Sequence, residues 1–523
     1  MYSKVITAGL FGIEGFKVMV ETDISSGLPA FTVVGLPSAT VKEAKERVRA
    51  AVENSGFSFP DTRITINLSP AGSRKEGSYF DLPMAIGVMA ADGRYGFSEK
   101  ELESCGILGE LALDGRVMHI DGALPLVMGL AEKGIKRIMV PASNMGEVSM
   151  ASDVAFYPVE SLAEAAAHFS GEKPVEGVCS GGMAMEEVNS YPFDFSEVRG
   201  QETAKRALVI SVAGGHGIYF HGFPGSGKSM LAKRIPTIMP ALSREEKMEI
   251  TMLYSVAGKL RPGEAAVPLR PFRAPHHSIT RAALTGGGNQ PRPGELSLAH
   301  RGVLFLDEFP EFSRETLETL RQPVEDGRIV IQRADRTAVF PCDFILVAAG
   351  NPCKCGYYGS SKRKCICSEN SVRSYQSRLS GPLIDRIDMQ IAVGEIRPEE
   401  ILRNRGSVLP GRDSATMRAE VELGRSVQKA RYGGSLKLNG RLEGSEIERY
   451  CPMSREAESL LEAAAGSFGM SMRSCTKVIK VARTIADLSQ KEILDEKDVA
   501  EALQYRALDS LERSFYAGRN TKI

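Results

Sequence analysis

The sequence predicts a multidomain α/β protein: a mixed α/β N-terminal domain, a parallel α/β core with inserted hairpins, and an α-helical C-terminal block. Three observations predict it. Short β-rich runs alternate with helical patterns through residues 1–169, strand–turn–helix units recur over residues 196–394, and residues 395–523 follow helical spacing alone. A length of 523 residues, at roughly 150 per domain, suits three or four domains.

In the first block, residues 5–11, 16–22, 31–34 and 63–68 read as strands and residues 39–55 as a helix. The strand 63–68 leads through a Gly/Ser loop, 71–77, into an apolar helix over about 81–91. A further helix at 123–133 precedes a strand at 137–140. Gly171, Pro174, Gly177, Ser180, Gly181 and Gly182 mark a linker over 170–195. In the last block Val478, Val481, Ala482 and Ile485 share one helix face, and Asp495 with Asp498 ahead of an apolar run marks a helix start.

Composition narrows the class. The chain is 43% apolar and 25% charged, which suits a globular protein and excludes disorder over most of its length. Lys plus Arg and Asp plus Glu are both 65, so the protein is not basic overall, although a local basic channel stays open. The longest apolar stretches, such as 82–91, fall short of the ~20 residues of a membrane span. Residues 1–20 are broken by Glu14 and Lys17, lack a small-residue cleavage site, and read as a strand pair and not a signal peptide. The expected location is the cytoplasm, with no membrane partner. Nine cysteines in this length make no disulfide framework.

Residues 216–221 form a short apolar run followed by Gly222, Phe223, Pro224, Gly225, Ser226, Gly227, Lys228 and Ser229, the pattern G-x-x-x-x-G-K-[ST]. Glycines let successive backbone N–H groups turn toward a phosphate chain, and the following helix adds its positive end. Lys228 is then placed for the β- and γ-phosphates and the Ser229 hydroxyl for Mg²⁺. Downstream, four apolar residues, 303–306, deliver Asp307 and Glu308 at a strand end. A buried parallel strand ending in two carboxylates suits a Mg²⁺-dependent ATPase, with Asp307 on the metal shell and Glu308 polarising the attacking water. A third strand, 344–349, ends at Gly350 and Asn351, whose amide is placed to bond that water or the γ-phosphate.

These residues resemble those of AAA+ ATPases, in the branch of magnesium chelatase ATPase subunits and MCM-type helicases. Over essentially the whole chain the resemblance is to the ComM/YifB family of magnesium chelatase-like bacterial proteins. Its marks are the runs 270–277 (RPFRAPHH), 294–302 (GELSLAHRG), 351–356 (NPCKCG) and 378–386 (RLSGPLIDR). The resemblance implies a homo-hexameric ring with ATP between subunits and a C-terminal helical lid. Arg386 matches the family's arginine finger, set against the plainer reading of an ion pair with Asp385 or Asp388. Arg473 matches the sensor-2 arginine, with Arg483 as a competing candidate. The resemblance also implies two insertions, one over 276–293 and a hairpin over 328–341 turning at Ala334 and Asp335. In this branch such hairpins point into the ring pore. Arg333 and Arg336, near the tip, would contact DNA phosphates or be ordinary solvated charges.

Cys353, Cys355, Cys365 and Cys367 flank a nine-residue loop. Four thiolates suit tetrahedral Zn²⁺, although C-x-C departs from the usual C-x₂₋₄-C; the alternative is four reduced surface thiols. Between residues 354 and 378, Lys354, Lys362, Arg363, Lys364, Arg373 and Arg378 stand against Glu369, with Tyr357 and Tyr358 available for stacking. That excess suits nucleic acid and equally a solvated face or a subunit contact. The adjacent His276 and His277 are expected to diverge and to be structural or substrate-facing.

Residues 75–82 (KEGSYFDL) and 120–141 resemble the active-site segments of Lon-type protease domains. Tyr79 falls at the nucleophile position and Leu124 at the lysine position, and Ser78 has no evident lysine base. The resemblance implies a Lon-like fold without proteolysis. The function expected is therefore a hexameric ATP-driven DNA motor, which in the ComM resemblance means branch migration in recombination and natural transformation, using ATP and Mg²⁺ and acting on branched or single-stranded DNA. The alternative is a protein-remodelling ATPase related to the magnesium chelatase motor subunit. A protease ranks last, since both dyad positions are lost.

Overall fold

The alternation read in residues 1–70 folds into one mixed sheet. The computed structural model describes residues 1–179, 191–288, 290–333, 336–360, 363–378, 384–394, 412–435 and 437–506. Strands Tyr2–Phe11, Glu14–Ser25, Arg63–Ser69 and Ala30–Val34 run side by side on one half of an eight-stranded sheet. Cys105–Ile107, Arg137–Pro141, Ala155–Val159 and Val178–Cys179 complete the other half. The helices Ala39–Asn54, Asp81–Asp92 and Ala123–Glu132 come from the periodic runs in the sequence. Asp81–Asp92 is apolar nearly all round, and it is buried nearly all round. The segment expected to be linker from residue 170 still supplies the edge strand Val178–Cys179; Ser180, Gly181 and Gly182 lie outside the described residues.

The second sheet has five strands in the order Phe272–Arg273, Val303–Leu306, Ile345–Gly350, Ile218–His221, Met389–Ala392. Every pairing in it is parallel. Strands buried on both faces need near-continuous apolar runs, and VLFL and ILVAAG are buried at every position. The carboxyl ends of all five strands therefore emerge on one edge.

The expected insertions are present. The helices Arg281–Thr285 and Glu295–Leu298 are separated by a two-stranded ribbon, Gly286–Gly287 with Arg292–Pro293. The hairpin pairs Arg328–Gln332 with Thr337–Pro341 in the register Gln332↔Thr337, and its turn residues Ala334 and Asp335 lie outside the described residues. The helices Ser414–Arg431, Arg455–Phe468, Met472–Leu488 and Glu496–Gln504 form the C-terminal block, and Asp495 and Asp498 make the capping box the sequence announces. Among the described residues these helices share one core with the five-stranded sheet. Val478, Val481, Ala482 and Ile485 pack in the same cluster as Ile218, Phe220 and Val347 of the five-stranded sheet.

The two sheets are joined through the helix Arg244–Val256. Gly122 N–H donates to Ser255 O at 3.1 Å, and the Ser255 hydroxyl donates to the buried carboxylate of Glu147. The hairpin adds a second joint: the Arg336 guanidinium lies over the rings of Phe16 and Phe11, 5.0 and 5.5 Å from their centroids. Among the described residues no helix is long and apolar enough to cross a membrane.

Candidate functional site

Three loops at the carboxyl ends of adjacent parallel strands meet at one edge of the five-stranded sheet, where open α/β sheets bind ligands. The first follows Ile218–His221. Gly225 and Gly227 have φ of +79° and +93°, a region that L side chains rarely adopt, and Gly227 caps the helix Lys228–Ile238. The result is a glycine-turned loop running into a helix N-terminus, a backbone arrangement suited to phosphate. Lys228 Nζ folds back on this loop, donating to the carbonyls of Gly222 at 2.8 Å and Phe223 at 2.9 Å. Burial pulls its pKa below the ordinary lysine value and the Asp307 charge opposes that shift. Pro224 packs against Gly356, and Ser226 N–H closes the turn on Phe223 O at 3.2 Å.

The second loop follows Val303–Leu306. Ser229 Oγ donates to Asp307 Oδ2 at 2.7 Å, so the two oxygens expected to serve Mg²⁺ stand side by side. Glu308 adopts φ +51°, an uncommon conformation for a non-glycine residue, and its Oε2 is 3.1 Å from His277 Nδ1. That partner is not legible in the order of residues. His276 and His277 also do not diverge as expected: their rings face each other at a tilt of 35° with centroids 4.0 Å apart, in a segment that is an irregular loop and not a strand or helix. The third loop places Asn351 Oδ1 3.2 Å from Lys228 Nζ.

Arg386 and Arg473 lie elsewhere. Arg386 precedes Met389–Ala392, which pairs with Ile218–His221 in the register Met389↔Ile218 and Ala392↔His221. Arg386 therefore sits at the amino-terminal edge, separated from the phosphate loop by the strand itself, roughly 13 Å at 3.3 Å per residue. It does not pair with Asp388, which bonds His216 Nδ1 at 3.2 Å and Lys477 Nζ at 2.9 Å; the side chain of Asp385 lies outside the described residues. One partner is Glu325, whose carboxylate accepts from Arg386 Nη2 at 3.1 Å, lies 3.1 Å from Arg386 Nε and also pairs with Arg473. Glu325 was not legible as a site residue. Arg483, the competitor of Arg473, is fully buried and bonds Asp487 Oδ1 and the carbonyl of Glu492, so it is a packing residue of its helix.

Of the residues expected to meet DNA, Arg333 is exposed and its guanidinium donates to Gly288 O, which brings the two insertions into contact. Arg336 is turned away from such a role by Phe11 and Phe16, because a guanidinium over two rings is held by cation–π attraction. Arg363 and Lys364 are exposed, and Arg363 stacks on Tyr357 at 4.4 Å; Lys362 lies outside the described residues.

The sulfurs of Cys353, Cys355, Cys365 and Cys367 all lie within 4.8 Å of one another. Three of the separations are 3.4, 3.5 and 3.7 Å. A disulfide would need about 2.05 Å, whereas the edge of a tetrahedron with metal–sulfur bonds of about 2.3 Å is about 3.8 Å. The donor set and its spacing fit one soft divalent metal. Backbone N–H groups of Tyr357 and Ile366 lower the Cys355 thiol, while desolvation and the neighbouring sulfurs raise those of Cys365 and Cys367.

In the eight-stranded sheet, Tyr79 is buried and its hydroxyl accepts from Leu10 N–H at 3.1 Å, and Leu124 is fully buried. Burial also raises the Tyr79 phenol out of nucleophilic range. Ser78 Oγ donates to Glu110.

Residues 194–401 match the family described as magnesium chelatase, subunit ChlI. Residues 20–144 match that described as subunit ChlI of Mg-chelatase, and residues 411–506 its C-terminal family. The chain is 40% identical to the competence protein ComM of Haemophilus influenzae, over 96% of this chain and 97% of the relative. It is 39% identical to the uncharacterized protein YifB of Salmonella typhimurium, over 97% of each. Similarity to the magnesium-chelatase 38 kDa subunit of Cereibacter sphaeroides is 27%, over 31% of this chain and 53% of that protein.

Proposed function

The chain belongs to the ComM/YifB family of magnesium chelatase-like proteins, a family of AAA+-type ATPases, and from that premise we propose that it is a Mg²⁺-dependent ATP hydrolase working as a homo-hexameric DNA motor. In this reading the Gly222–Ser229 loop and Lys228 hold the phosphates, Ser229 and Asp307 ligate Mg²⁺, and Asn351 senses the γ-phosphate. Glu308 takes the proton of the attacking water once it leaves His277. Arg386 acts on the neighbouring subunit's ATP, with Arg473 beside it on the same face.

The observation that carries the proposal is the division of this machinery between opposite edges of one sheet. In this reading a finger that stands a strand's length from its own phosphate loop works on another copy's nucleotide, and a heterologous contact of that kind makes a ring when its rotation closes. Arg333 at the junction of the two insertions is the side chain best placed to meet DNA in the pore. Arg363 and Lys364, with Lys362 from the sequence, add a basic loop. The eight-stranded domain serves as a Lon-like module without proteolysis, since the positions a Ser–Lys dyad needs hold Tyr79 and Leu124. The four cysteines hold one structural Zn²⁺. A second reading, a protein-remodelling ATPase acting on a partner, draws support from Arg336, which the rings of Phe11 and Phe16 hold against the N-terminal domain.

Steady-state ATP hydrolysis at low salt, alone and with single-stranded, duplex and four-way branched DNA, tests the proposal, with Glu308→Gln as the blank. Stimulation that is greatest with branched DNA and falls with salt is expected. Robust hydrolysis indifferent to every DNA transfers the assignment to the protein-remodelling reading.

A further inference from the structure

We infer that the metal-bound cysteine knuckle is a strut of the ATP site, so that occupancy of the four thiolates governs hydrolysis; this rests on the Zn²⁺ assignment above. Cys353 stands two residues beyond Asn351, the residue that touches Lys228 Nζ. Its buried sulfur accepts from Tyr358 N–H at 3.3 Å, and Gly356 N–H closes a turn on Cys353 O at 2.9 Å. Gly356, at φ +87°, is pressed against the phosphate loop: a Cβ there would lie 2.4 Å from Pro224 Cγ and 2.7 Å from Pro224 Cδ. The knuckle thus touches two of the three loops that build the candidate site, one through chain continuity and one through packing.

Besides the sulfurs, turns and side-chain contacts order this segment: Arg363 Nη1 donates to the Tyr357 hydroxyl at 3.0 Å and Arg363 N–H to Ser360 Oγ at 3.3 Å. Among the described residues from 351 to 368 there is no helix or strand, so no ladder of backbone hydrogen bonds fixes the turn. From outside, Gln376 Nε2 donates to Pro352 O at 3.1 Å. Thiols at 3.4–3.7 Å attract one another weakly, whereas one tetrahedral ion ties Cys353 and Cys355 to Cys365 and Cys367 across the loop. Ile366, between two of the ligands, is 89% exposed, so the far pair contributes ligands and not core. With the ion gone, Gly356 and Asn351 lose their fixed positions, and a displacement of about 1 Å at a reacting centre costs on the order of 10²-fold in rate.

The test uses the full chain. Metal content after purification is expected at one Zn²⁺ per chain. Replacement by Co²⁺ is expected to give the intense d–d bands of tetrahedral thiolate, and addition of a non-hydrolysable ATP analogue with Mg²⁺ is expected to shift them. Zinc-free protein with unchanged circular dichroism should lose on the order of 10²-fold in kcat and recover on adding Zn²⁺. Gly356→Ala, which leaves all four ligands in place, should keep the Co²⁺ bands while kcat falls. Absence of metal and of Co²⁺ bands overturns the metal site. Co²⁺ bands blind to the nucleotide, with hydrolysis unchanged in both zinc-free and Gly356→Ala protein, overturn the strut and leave the zinc. Zinc-loaded wild-type protein that hydrolyses no ATP refutes the ATPase reading instead, and the cobalt spectrum reports on the strut independently of turnover.

Discussion

The two edges of the five-stranded sheet are built differently. At the carboxyl edge the polar groups are already paired with one another: Ser229 with Asp307, Lys228 with Asn351 and Glu308 with His277. At the amino edge two arginines from separate elements converge on a single carboxylate, Glu325. One edge gathers the residues of the proposed phosphate and Mg²⁺ site. The other gathers two guanidinium forks on one carboxylate, and within one chain the length of a strand lies between them.

The largest effect should come from breaking the amino edge. Arg386→Ala is expected to lower hydrolysis by about 10³-fold or more, the usual worth of an arginine finger. Mixing it with Lys228→Ala, which keeps its own Arg386, should restore part of the rate. If phosphate release is never rescued across a range of mixing ratios that native mass spectrometry shows to form mixed rings, action in trans is refuted. Glu308→Gln attacks the carboxyl edge and should cost about 10²–10⁴-fold while leaving binding of a fluorescent ATP analogue intact; normal turnover would remove Glu308 from the chemistry.

Smaller effects separate architecture from chemistry. Arg483→Met leaves Asp487 buried with one partner fewer, which should cost about 3–5 kcal/mol in urea unfolding. A variant as stable as wild type but slow in hydrolysis would return Arg483 to the candidate sensors. His277→Ala releases Glu308 without removing it, so basal hydrolysis should change by less than about tenfold and its dependence on DNA should flatten. A loss as deep as that of Glu308→Gln would make His277 part of the chemistry. Glu325→Gln should shift stability by about 1 kcal/mol or less, because the pair with Arg386 and Arg473 is partly exposed; a much larger loss in urea melts would make Glu325 a structural residue.

The sequence was most informative where geometry is carried by neighbours in the chain. The order strand, Gly222–Ser229, helix determines a phosphate loop, because φ at Gly225 and Gly227 and the helix start are local properties. The apolar run before Asp307 determines a buried strand and the edge on which the carboxylate emerges. The paired C-x-C spacings determined that four thiols share a loop. Contacts between distant positions were hidden. Glu325 lies 61 residues from Arg386, and nothing in its surroundings marks it. Arg336 looked like a hairpin charge until the rings of Phe11 and Phe16 claimed it. His277 with Glu308, and Gly356 with Pro224, are equally invisible in one dimension.

By itself, then, the chain of residues determined the α/β class and the phosphate loop with its carboxylates, which depend on local backbone preference and apolar period, and the cysteine cluster, which depends on spacing; the two insertions came from the family resemblance. Only the tertiary structure decided that Arg386 and Arg473 share Glu325 at the far edge, that Arg336 belongs to a joint between sheets, and that the cysteine knuckle leans on the phosphate loop. Those relations follow from parallel strand register and from packing between segments remote in sequence, where the partner is chosen by the fold and not by the neighbour in the chain.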